Sequence, residues 1–177
     1  EYQARIGNRD SVMMNNNPRR QVASGYRQLN TTNKLRFKVG KHLDIDLAHH
    51  YSHLSDVPRY DRLIQVKGGT LRYGDWYYGP HVWMMTNASM RYNRPANLFD
   101  EIRLTVARQD YRESRHDRAL NKTDLNEQFE KVGIWSANLD FDKKTGKRDN
   151  LAYYGAEYVW NTIRSTADVK NILTGDT

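Results

Sequence analysis

"LDIDLAHHY" (residues 43–51) places Leu43, Ile45, Leu47, His49 and Tyr51 on one parity and Asp44, Asp46, Ala48 and His50 on the other. Successive side chains of an extended chain point to opposite faces, so the stretch reads as a strand with an apolar and a polar side. The alternation recurs outward from it. In residues 101–109, Ile102, Leu104 and Val106 oppose Glu101, Arg103, Thr105 and Gln109. Residues 135–142 set Trp135, Ala137, Leu139 and Phe141 against Ser136, Asn138, Asp140 and Asp142. In residues 152–160, Ala152, Tyr154, Ala156, Tyr158 and Trp160 lie opposite Gly155 and Glu157. Residues 82–92 and 29–39 repeat the pattern more weakly, and helical periodicity is poor nearly everywhere. The chain reads as all-β, an antiparallel meander of about six strands.

The links between these strands alternate in length. Residues 40–42, the stretch around 94–97 and residues 143–150 are short links; residues 1–22, about 53–80 and about 112–128 are long, and another long one begins near Ser165. Every second link of a meander lies at the same end, so one end should have tight turns and the other long excursions. A soluble sandwich or lipocalin-like barrel can do this. A transmembrane barrel combines it with an apolar outer face, aromatic girdles and a polar lumen. Here the apolar parity ends in Tyr51, Tyr92, Trp135, Tyr158 and Trp160.

The 177 residues suit one domain spanning 1–177, although a 38% hydrophobic content does not assure a compact core. With 12 Tyr, 4 Trp and 4 Phe, disorder fits no better. The net charge of +7 suits an anionic partner: nucleic acid, lipid headgroups or an acidic small ligand. The lack of cysteine excludes disulfides, thiol catalysis and cysteine-based zinc sites. "EYQARIGNRDSVMMNNNPRRQ" (1–21) has no apolar signal-peptide core, and nothing approaches a transmembrane helix. A barrel strand needs only about 9–11 residues with alternate positions apolar.

Three stretches, "YSHLSDVPRYDRL" (51–63), "LRYGDWYYGPHVWMM" (71–85) and "LDFDKKTGKRDNLAYYGAEYVWN" (139–161), resemble in order and spacing the barrel of TonB-dependent outer-membrane receptors of the Bacteroidetes type. "RLTVARQDYRESRHDR" (103–118) and "EKVGIWSANLDFD" (130–142) support this. The resemblance implies a large barrel, 22-stranded in this family, in the bacterial outer membrane. It implies an N-terminal plug domain contacting TonB, long external loops, and uptake of a ferric siderophore or haem, with cobalamin or oligosaccharide behind. Lipopolysaccharide and a surface lipoprotein would be further partners. No plug, TonB box or closing C-terminal strand is recognisable, so the chain is expected to be an internal piece of such a barrel.

Arg59, Tyr60, Arg62, Arg72 and Tyr73 fall in the longest internal link, and Arg with Tyr grips anionic, aromatic ligands. Trp76, Tyr77, Tyr78, Arg115 and His116 complete the candidate ligand contacts. An Arg–Asp network ordering a long loop uses the same residues. In "YGDWYYGPHVWMM" (73–85), Tyr73 to Tyr78 are expected in a loop, Gly79 and Pro80 at the turn into the wall, and Trp83 on the polar side. His49 and His50 point to opposite faces and cannot share a metal; His53, His81 and His116 stand near loop bases, and no metal-ligand spacing such as HExxH appears. Residues 115–118 set His116 beside Asp117 but lack a nucleophile context, and Asp44, Asp46, Arg103, Asp140, Asp142 and Glu157 read as charge pairs lining the polar side. The expectation is no catalytic residue, metal or cofactor. The competing reading is a soluble basic β domain that binds nucleic acid, or a surface glycan, by stacking on Tyr73, Trp76, Tyr77 and Tyr78. The strand aromatics lie on the apolar parity away from the charges, which speaks against nucleic acid.

Overall fold

The computed structural model describes residues 1–146 and 150–177. Its long strands are β3 (Gln28–Val39), β4 (Leu43–Leu54), β9 (His81–Tyr92), β10 (Glu101–Ala119), β11 (Asp124–Thr145) and β12 (Asn150–Asn171). They form one antiparallel sheet in the order β12-β11-β10-β9-β4-β3. Between β4 and β9 lie β5 (Val57–Pro58), α1 (Tyr60–Leu63), the ribbon β6 (Val66–Lys67) and β7 (Thr70–Leu71), and β8 (Tyr73–Tyr78). A separate hairpin, β1 (Tyr2–Ile6) and β2 (Arg9–Met13), precedes the sheet. The chain is all-β with antiparallel sheets, as its alternation predicts; the sheet is open rather than closed into a barrel.

The registers turn the alternation into two faces. Val39, Leu43, Tyr92, Ile102, Phe141 and Tyr154 pair across six strands in one row. The next row holds Phe37, Ile45, Met90, Leu104, Leu139 and Ala156, and the next Leu35, Leu47, Ala88, Val106, Ala137 and Tyr158. Then come Trp135 and Trp160, directly paired beside Arg108. The opposite face carries ion pairs between neighbouring strands: Arg36 forks Asp46 at 2.6 and 3.1 Å, and Arg91 donates to Asp44 at 2.9 Å. Trp83 lies on this polar face, as expected, stacked with His50 and donating to Gln109 at 3.4 Å.

The short links 40–42 and 93–100 lie at one end, as the spacing predicts. There Lys143 donates to Asp100 and to the Ala96 carbonyl, both at 2.8 Å. Residues 147–149 of the third short link lie outside the described residues. At the other end three expectations are corrected. Residues 112–119 and 124–128 are strand, and only 120–123 turn. β12 likewise continues past Ser165 to Asn171. Residues 73–78 are not loop: β8 pairs with β10 from Arg115↔Tyr78 to Arg118↔Asp75 and lies end to end with β9 on the same ladder. Gly79 and Pro80 mark a bulge within that ladder, since the register against β10 shifts by one between Val82↔Arg112 and Tyr78↔Arg115. The bulge reverses parity. Tyr77 therefore shares the apolar-parity face of the sheet with His116, while Trp76 and Tyr78 lie on the polar-parity face.

A candidate ligand site at the long-strand end of the sheet

The candidate residues divide between the two faces of this extension. On the polar-parity side, β5 pairs with β8 through Val57↔Tyr78 and Pro58↔Tyr77 and delivers the chain into α1. Arg59 then lies over Trp76 and Tyr78, with its guanidinium carbon 5.5 and 5.4 Å from the ring centres, and Arg62 lies 5.6 Å over Trp76. Trp76 and Tyr78 meet edge to face at 4.9 Å. The indole is 7% exposed, so it serves the site as a floor rather than an open stacking surface. Arg59 forks Asp61 with two 2.8 Å bonds, and this pairing holds the Asp61 carboxyl below the usual carboxylate range. Its charge is thus spent within the loop. Arg62 reaches Asp61 only at 4.0 Å, and its Nε is buried without a hydrogen-bond partner. Arg115, paired with Tyr78 in the ladder, donates to Gln128.

On the other side, Tyr77 stacks on His116 at 4.5 Å with the rings nearly parallel, and Phe129 meets His116 edge-on at 5.7 Å. His116 is 5% exposed; its Nδ1 lies 3.2 Å from Glu127 Oε1, yet neither ring nitrogen has an aligned hydrogen-bond partner. Burial, with Asp56, Asp75 and Glu127 nearby, pushes the Tyr77 hydroxyl up to about 12. Tyr77 and His116 are therefore packed apart from Arg59, Arg62, Trp76 and Tyr78. Arg72 lies over Tyr73 at 4.7 Å, and Tyr60 helps line a cavity of about 380 Å³ with Tyr2, Val12, Leu63 and Ile64.

Holding this end together is Arg118, 1% exposed, which the sequence offers only as a neighbour of His116 and Asp117. It forks Asp10 at 2.7 and 2.9 Å and donates to Asp75 at 2.6 Å and to the Lys122 carbonyl at 2.7 Å. Asp10 also accepts from the Asn121 backbone N–H at 2.6 Å. A Cβ on Gly74 would lie 2.6 Å from both Arg118 Nη2 and Asp10 Oδ2, so a side chain there would push apart the buried ion pair. The first hairpin is thereby latched to the β10–β11 tip.

His50 and His49 engage Thr32 and Thr86 hydroxyls from opposite faces, at 3.0 and 2.9 Å. Among the described residues no three His, Asp or Glu side chains gather as a metal centre would require. No described helix is long and apolar enough to cross a membrane, a fact silent on strands. No family model, curated protein or solved structure matches the chain.

Proposed function

We propose that the chain is part of a TonB-dependent outer-membrane receptor, a transmembrane β-barrel that takes up a scarce, bulky nutrient and makes or breaks no bond itself. The observation that carries the reading is an apolar face with nothing packed on it. Among the described residues only Trp76, Ala107 and Leu125 are buried apolar side chains, while Leu35, Val39, Tyr158 and Trp160 are 59, 51, 66 and 59% exposed. In water such a face has no driving force to remain uncovered. In a bilayer it would meet lipid, with Tyr92, Tyr154, Trp135 and Trp160 at the interfaces. The Arg–Asp face would line the lumen. Further barrel strands would pair the free edges of β3 and β12, because open edges are not tolerated in hydrocarbon.

The short links would then face the periplasm and the long-strand end the outside. There Arg62 over Trp76, with Arg59 over Trp76 and Tyr78 and Arg115 beside Tyr78 in the ladder, suits an anionic, aromatic ligand; ferric siderophore or haem is the leading class. Release into the lumen would need the plug and TonB. Two measurements test this. The protein should fractionate with the outer membrane and need detergent for extraction; release into plain buffer would overturn the barrel and favour the soluble alternative. A strain lacking it should grow poorly on either siderophore-bound iron or haem as sole iron source, and unchanged growth on both would remove iron.

A further inference from the structure

Arg112, Lys131 and Arg164 stand in one row. Arg112 pairs with Lys131 across β10 and β11, and Lys131 with Arg164 across β11 and β12. All three are exposed and lie on the apolar parity, four residues beyond the row of Arg108, Trp135 and Trp160 on their own strands. Like charges directly opposite one another on neighbouring strands are destabilising. Yet no carboxylate is within ion-pair distance of any of them among the described residues. The nearest candidate on that face, Asp110, is forked by Arg108 at 3.0 and 2.5 Å. On these three strands the row between the tryptophans and the cations is Asp110, Gly133 and Thr162.

We propose that Arg112, Lys131 and Arg164 form a phosphate-binding row for the headgroups of the membrane lipids that surround the sheet. The inference rests on the membrane reading above and names the chemistry at one edge of the apolar band. Four residues span about 13 Å of strand, or about 10 Å along the membrane normal at a tilt near 40°. That is the offset between aromatic rings at the interface and phosphates outside it. Three cations on strands about 4.8 Å apart offer a row of donors to phosphate oxygens, and bound anions would relieve their mutual repulsion.

The test uses the full chain in neutral maltoside micelles, titrated with phosphatidic acid bearing brominated acyl chains, which quench tryptophan fluorescence on binding. Brominated diacylglycerol supplies the same chains without phosphate, and inorganic phosphate supplies the anion without chains. Wild type should bind phosphatidic acid well above diacylglycerol, and millimolar inorganic phosphate should not displace it. Each cation removed should weaken binding about fivefold, so R112Q/K131Q/R164Q should lose about a hundredfold. K34Q/K38Q/K41Q, with the same charge change on the polar face and its turn, should stay within about twofold of wild type. Equal binding of the two lipids, an unaffected triple variant, an equal loss in the control, or displacement by inorganic phosphate would each overturn the row. Failure to bind either lipid would instead sink the membrane reading itself.

Discussion

Replacing Arg118 by alanine should release the first hairpin without unfolding the sheet. The guanidinium is 1% exposed and donates four hydrogen bonds, two of them to Asp10, whose side chain is 2% exposed. Removing one partner of a buried pair costs about 3–5 kcal/mol, because the other charge is left unmatched. Asp10 would retain Arg5 at 3.3 Å and the Asn121 N–H at 2.6 Å, which places the cost near the lower end, about 3 kcal/mol. Asp75 is half-exposed, so its loss adds little. At about 1.4 kcal/mol per tenfold, the latch should open roughly a hundredfold more often. Hydrogen exchange read by mass spectrometry should show this acceleration in β1, β2 and residues 121–123, with 102–106 unchanged. Arg118→Lys keeps the charge but cannot fork Asp10 while reaching Asp75, and should fall between. Acid should mimic the mutation. Burial raises the Asp10 carboxyl, but bonds from Arg118, the Asn121 N–H and Arg5 outweigh it and hold the group below its ordinary 3.8. A lowered acid contributes stability above that ordinary value and loses it as pH falls through the folded one, so wild-type hairpin exchange should rise only below about pH 3.8. Unchanged exchange of β1 and β2 in Arg118→Ala would refute the latch.

Two further outcomes follow from geometry. A Cβ on Gly155 would lie 2.2 Å from the Leu139 carbonyl oxygen, whereas one on Gly133 would meet only the Arg108 guanidinium tip at 2.8 Å. Gly155→Ala should therefore cost about 1–3 kcal/mol in urea unfolding and Gly133→Ala clearly less, because backbone must move in the first case and a flexible side chain in the second. The reverse order would show that the β11–β12 register is wrong. Tyr77 should ionise near pH 12 rather than 10.0 when tyrosinate absorbance is followed, and His116→Ala, by opening the stack to water, should bring it down. Its raised value means a stability contribution present below pH 10.0 and lost as pH climbs toward about 12; Tyr77→Phe should abolish that part of the alkaline decline.

The sheet was legible because one parity of residues 43–51, 101–106 and 135–141 is largely apolar while the other is largely polar, and a period of two is then hard to mistake. The same rule fails at residues 112–119, where Arg112, Glu113, Arg115, His116, Asp117 and Arg118 put polar groups on both faces and hide the alternation. Those residues are strand because β10 and β11 pair continuously from Glu101↔Asp142 to Arg118↔Leu125. The division of the aromatic cluster was hidden for another reason. One extra residue at Gly79 and Pro80 exchanges the faces of Tyr77 and Tyr78, and no fixed period anticipates a bulge. Arg59, Arg62 and Trp76 were legible as residue types. The neutralisation of Arg59 by Asp61, two residues away, is local and belongs to the Arg–Asp network that the loop's composition suggests, whereas the burial of Trp76 and His116 depends on pairing between segments. The Asp10–Arg118 contact joins positions 108 residues apart and leaves no local signal.

One ion pair offers a direct trial of what covers the apolar face. On β11 the positions of that parity between Lys131 and Lys143 are Gly133, Trp135, Ala137, Leu139 and Phe141, all uncharged. Twelve residues of strand make about 40 Å between the two lysines, or about 30 Å along the normal at a tilt near 40°, room for an apolar band with an aromatic interface at its edge and the lysines outside it. On neighbouring β10 the same band contains Arg108, opposite Trp135, and Asp110, opposite Gly133. They fork each other, with Arg108 also 5.3 Å over the Trp135 ring, so the pair enters the band without net charge. In a bilayer, Asp110→Asn strands a lone arginine on the lipid side, where the penalty grows with depth, and Arg108→Gln in the same chain removes the arginine. The single variant should refold into lipid vesicles less stably than wild type, and the double variant should recover most of the loss. In water an exposed pair of this kind contributes little, and the second substitution has nothing to rescue. Equal stability of the single and double variants would therefore place this face against solvent and remove the strongest support for the barrel.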